Sequence, residues 1–146
     1  MKKPKFAFLV TTLAVSSFLA GCSGEAPGFK ALERQSTASD SLPDGVNFGP
    51  DTNLSKVLLV AEANGKKFFL GQDEEGLTSC LAVYPVENPA GWHASCAGKG
   101  SGRGEILKAS GPDQKTSILV LDGYDTKDLE ASGFTKVHAN ILVSNS

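Results

Sequence analysis

Hydrophobic and polar positions divide the chain into three stretches. Phe6 to Leu19 is an almost unbroken apolar run, preceded by Lys2, Lys3 and Lys5 and diluted only by Thr11, Thr12, Ser16 and Ser17. Residues 22–50 are poor in apolar positions and rich in Ser, Thr, Asp, Gly and Pro, a composition that buries too little surface to order itself. This stretch reads as a flexible tether, with Phe29, Leu32 and Leu42 free to dock and a short helix near 37–41 stopped by Pro43. From Lys56 onward, short apolar runs alternate with turn chemistry, the signature of an antiparallel β fold.

The runs place strands at 56–63, 67–71, 77–84, 92–97, 105–109, 117–121 and 137–143. Asn64-Gly65 separates the first two, and that pair takes positive φ at both centres of a tight hairpin turn. The third and fourth strands are joined across 85–91. If Cys80 faces Cys96, the same register sets Ala82 against Ala94 and Tyr84 against Trp92, so that a disulfide and an aromatic pair share one face. Leu77, Leu81 and Val83 lie on the other face. The runs Val57-Leu-Leu-Val60 and Ile118-Leu-Val-Leu121 do not alternate at all, so both of their faces need cover.

One helix is expected before the last strand. Asp125 suits its N-cap and Asp128 its third position, where a carboxylate meets the positive end of the dipole. Tyr124 and Leu129 occupy staple positions, and Gly133 ends the helix after about two turns. The expected fold is therefore mainly β: an antiparallel sheet of about seven short strands, as a sandwich or partly closed barrel, with one short helix and one disulfide. A sheet covered by helix and tether is the remaining alternative.

The order of the first stretch, basic then apolar then small, is that of a signal peptide. At a helical rise the run covers roughly 22 Å, short of the roughly 30 Å of a hydrocarbon core. Its end, Leu19-Ala20-Gly21-Cys22, resembles the lipobox read by lipoprotein-processing enzymes. The resemblance implies a diacylglyceryl group on the Cys22 thiol, cleavage before Cys22 and acylation of the freed amine. Two buried acyl chains hold a protein on a bilayer where one does not. The expected division is a signal peptide over 1–21, a tether over 22–50 and one β-rich extracytoplasmic domain over 51–146.

Removing residues 1–21 takes away three lysines and no acid, which carries the formal charge from −2 to −5. Only two arginines are present, Arg34 and Arg103, and phosphate binding rests on clustered Lys and Arg, so nucleic acid is excluded as a partner. With Cys22 given to lipid, Cys80 and Cys96 remain as an even pair in an oxidising compartment, where a disulfide is the default. Zinc would need further ligands beside them.

From Gln35 onward the chain is also similar to a group of small uncharacterised secreted proteins and lipoproteins of actinobacteria. The residues that carry this are 35–43, Ser79-Cys80-Leu81, Gly91-Trp92 through Cys96, Asp122-Gly-Tyr-Asp125, Leu129-Glu130 and 137–143. The resemblance implies a two-cysteine β domain and an envelope location, and no activity.

Three groups of residues invite a chemical reading. Asp122, Asp125, Asp128 and Glu130 suggest calcium, but they lack the alternating order and distant glutamate of an EF-hand, and helix capping accounts for two of them. The glycine-rich stretch 98–104 sets Lys99 and Arg103 as counter-charges to a phosphate, yet its spacing fits neither known phosphate-binding loop. His93 and His138 are the only histidines. His93 should point away from the disulfide, and no serine sits in a strand-to-helix elbow. The domain is therefore expected to be a non-enzymatic envelope module, anchored to the cell membrane through Cys22, that binds a protein, glycan or small molecule without cofactor or metal. The alternative is a hydrolase that uses Asp122 or Asp125 with His138.

Overall fold

The computed structural model describes residues 28–98 and 104–145. The expected signal peptide, Cys22, and Lys99 and Arg103 lie outside the described residues.

Among the described residues eight strands form two four-stranded antiparallel sheets. The first sheet contains β1 (Lys56–Ala63), β2 (Lys66–Gln72), β3 (Thr78–Pro85) and β4 (His93–Gly98) in sequence order. The second contains β5 (Glu105–Ser110), β6 (Thr116–Val120), β7 (Phe134–His138) and β8 (Ile141–Ser144), in the order β5-β6-β8-β7. A helix, α1 (Lys127–Ala131), precedes β7. β4 runs beside β5 and β1 beside β7, so the sandwich approaches closure at both edges.

The expected hairpin is present. Asn64 and Gly65 adopt φ of 52° and 69°, which lets Ala63 pair directly with Lys66. β3 and β4 pair Cys80 with Cys96 and Ala82 with Ala94, and the two cysteines form the disulfide. Tyr84 and Trp92 pack into one apolar cluster on that face.

The runs that lacked alternation are apolar on both faces because both faces are covered. Leu58, Phe68, Leu70, Leu81 and Val83 meet Leu107, Leu119, Ile141 and Val143 between the sheets. On the outside of the first sheet, Phe69 and Ala82 lie under Leu42, Val46 and Phe48. On the outside of the second, Ile118, Val120 and Leu142 lie under Tyr124, Leu129 and Phe134. The molecule is a sandwich with a further cover on each side.

Two expectations are corrected here. Residues 28–50 are not loose tether: they make two 3₁₀ turns, Lys30–Leu32 and Ala38–Asp40, and bury Phe29, Leu32, Asp40 and Val46 to 3–7% exposure. Burying one such apolar side chain is worth about 1.5–3 kcal/mol, so a few anchors order a stretch whose average composition is polar. The last strand expected over 137–143 is two strands, β7 and β8, folded back at Ala139-Asn140. Asn140 is buried at that turn and donates to the Val120 carbonyl (3.1 Å), which fixes the bend to the neighbouring strand.

Candidate functional site

The strands of both sheets share two ends. At one end the β1–β2 turn, the β3–β4 connection and the β5–β6 turn converge. Lys66, at the start of β2, reaches across to the β5–β6 turn, where its ammonium lies 2.5 Å from Asp113 Oδ2. Asp113 Oδ1 accepts the Lys115 N–H at 3.1 Å, closing the turn locally. Partial burial pushes the Asp113 carboxyl up, but the Lys66 hydrogen bond, the Lys115 N–H and the charges of Lys66 and His93 outweigh it and hold the group below the ordinary carboxylate range.

His93 lies against the same turn. A Cβ on Gly111 would stand 2.5 Å from His93 Cε1 and 2.7 Å from Asp113 Oδ1, so only glycine lets the imidazole and the carboxylate approach there. His93 Nδ1 is 3.3 Å from the Gly91 carbonyl, while its buried Nε2 has no partner among the described residues. As expected, the ring points away from the disulfide face.

Cavities of about 360 Å³ and 250 Å³ open on either side of the Lys66–Asp113 pair and share Asn64, Lys66 and Asp113 as a common wall. The larger adds Glu87, Asn88, Gly91 and Pro112; the smaller adds Phe68, Lys115, Val143 and Ser144. Amide, ammonium and carboxylate groups here offer both donors and acceptors. Lys66 and Asp113 neutralise one another, so the shared wall offers hydrogen-bonding groups without net charge.

The residues of the alternative hydrolase lie elsewhere. Asp122 accepts from the Lys30 N–H (2.7 Å) and from Asn140 Nδ2 (2.8 Å). Asn140 N–H donates to His138 Nδ1 at 3.2 Å, and burial lowers the pKa of His138 while Asp122 opposes that shift. Asp122 and His138 are thus brought together around Asn140. Asp125 does not join them: its side chain is 72% exposed and accepts the Lys127 N–H at 3.1 Å. The backbone N-cap of α1 is Thr126, one residue later than expected, which places Asp128 second in the helix.

Tyr124 and Leu129 pack against the same buried cluster of Ile118, Val120 and Leu142, and Gly133, at φ 94°, follows a helix of five residues, shorter than two turns. Glu130 is engaged by Thr126 and Lys136; the Thr126 hydrogen bond, followed by the charge of Lys136, keeps its carboxyl low. Asp122, Asp125 and Glu130 therefore have separate local partners, in keeping with the preference for helix capping over calcium. Among the described residues no three His, Cys, Asp or Glu stand close enough to share a metal ion, and no helix is long and apolar enough to cross a membrane.

Sequence reasoning missed Lys66 and Asp113. The Asn64-Gly65 turn placed Lys66 at a hairpin mouth, but nothing in the pattern ties it to a residue in the other sheet.

No family model matches the chain, and no solved structure matches it. The chain is similar to Jupiter microtubule associated homolog 1 of Bos taurus, 32% identical over 100 residues that cover 63% of each protein. It thus spans under two thirds of that relative's length.

Proposed function

We propose that this chain is a lipoprotein held on the extracytoplasmic side of the cell membrane through lipid on Cys22, and that its domain binds a polar ligand rather than catalysing a reaction. The observation that carries the anchor is the cysteine account. Cys80 and Cys96 are bonded to each other, which leaves Cys22, behind Leu19-Ala20-Gly21, as the thiol for lipid. A cross-strand disulfide also suits an oxidising compartment. For that reason the microtubule in the bovine relative's name, an intracellular structure, is not carried over.

The preference for binding rests on the two cavities at the Lys66–Asp113 end, which Asp122 and His138, although they meet around Asn140 at the opposite end of the strands, do not line. Fractionation of cells producing Cys22→Ala tests the anchor: the variant leaves the membrane fraction while the parent stays. A variant that remained with the membrane as firmly as the parent would overturn it.

A further inference from the structure

The two ends of the sandwich differ in what they carry. One end holds the Lys66–Asp113 pair, His93 and the two cavities. At the other the chain enters the fold. Phe29 is 3% exposed and the Lys30 N–H is bonded to Asp122, while Phe29 and Leu32 stand with Ser55, Gln72 and Asp73 around a shallow cavity. The β2–β3 turn with Leu77, 43% exposed, belongs to this entry end.

Only seven Cα–Cα steps separate Cys22 from Phe29. They span at most roughly 25 Å, whereas a free tether over 22–50 would reach roughly 100 Å. An eight-residue strand such as β1 is itself roughly 26 Å long. The packing of Phe29, Leu32, Asp40 and Val46 therefore converts a long leash into a short one attached at a defined end.

We propose that the domain is held with its Phe29–Asp122 end towards the lipid surface and its Lys66–Asp113 cavities a strand length farther out, facing the aqueous envelope. The inference rests on the anchor at Cys22. A formal charge of −5 after removal of residues 1–21 gives the sides of the domain no attraction to anionic headgroups. In that orientation the cavities meet water-soluble molecules with hydrogen-bonding groups from the aqueous side.

The test uses the lipoprotein extracted from membranes and returned to phosphatidylcholine vesicles that contain lipid spin-labelled at the headgroup, a short-range quencher. Trp92 is the only tryptophan and follows Gly91 of the larger cavity. Leu77→Trp in a Trp92→Phe background reports from the entry end. The expected result is a large loss of Leu77→Trp emission and little loss at Trp92. Inserting about fifteen Gly/Ser residues after Gly24, which adds roughly 20 Å of root-mean-square reach, relieves the loss. Equal quenching at both positions, or an insertion without effect, would overturn the orientation.

A parallel sample of the chain from Cys22 onward, coupled through the Cys22 thiol to a maleimide lipid, separates the two ideas. If the native protein carries no lipid, the anchor fails, and the coupled sample still decides the orientation.

Discussion

Asp40 accepts five hydrogen bonds, two from Arg34, two from Thr37 and one from the Leu59 N–H of β1. The Arg34 bond is the largest cause that holds its carboxyl far below the usual range, and the Thr37 and Leu59 bonds add to it against burial. A carboxyl depressed on folding contributes stability that is complete above its unfolded pKa, about 4, and that is lost as pH falls towards the folded value. Asp40→Asn should therefore lower Tm clearly at pH 7, with a smaller gap from the parent at pH 3. Melts at the two pH values check this, and a gap that stays constant would count against it.

At Gly111 the expected effect is steric. Gly111→Ala forces His93 and Asp113 apart, and overpacking of this kind costs about 1–3 kcal/mol. Gly98→Ala, with nothing among the described residues within 4 Å of its Cβ, should be nearly silent. Chemical denaturation of the two variants distinguishes these outcomes. Neither Asp40 nor Gly111 was legible in the sequence. Arg34 and Thr37 lie near Asp40 in the chain, but its link to Leu59 of β1, like that of Gly111 to His93, exists only in the fold.

Elements were more readable, because periodicity and turn chemistry act over short distances. Asn64-Gly65 marked the first hairpin, and one register placed Cys80 opposite Cys96 and Ala82 opposite Ala94. Closing that loop of fifteen intervening residues stabilises by about 3 kcal/mol in the chain-entropy model. The double variant Cys80→Ala/Cys96→Ala should lose roughly that amount in denaturant titrations; a loss below about 1 kcal/mol would mean that strand pairing alone holds the hairpin. Helix α1 was found one residue out of phase. Since Asp125 is exposed and only assists the Thr126 cap, Asp125→Ala should cost about 0.5 kcal/mol, the low end for a capping residue. The fold-back between β7 and β8 was hidden because Val137 and Ile141-Leu-Val143 read as one apolar run, and Asn140 was the one turn-forming signal inside it.

For the whole molecule, the apolar character of both faces of Val57–Val60 and Ile118–Leu121 required cover on both sides but left sandwich, partly closed barrel and covered sheet open; the structure is the sandwich. What supplies the cover was legible only in part: α1 was expected, whereas 42–48 was assigned to the tether. Composition averages over a segment, and a handful of buried contacts decides whether that segment is ordered. The cavities at the Lys66 end were not legible at all, since they arise between turns of different sheets.

The central claim is that this domain is tied to lipid through Cys22, and the mass of the N-terminal peptide from membrane-extracted protein tests it most directly. The account predicts a peptide that begins at Cys22 and carries a diacylglyceryl group. An unmodified peptide, or one beginning at any other residue, would contradict it.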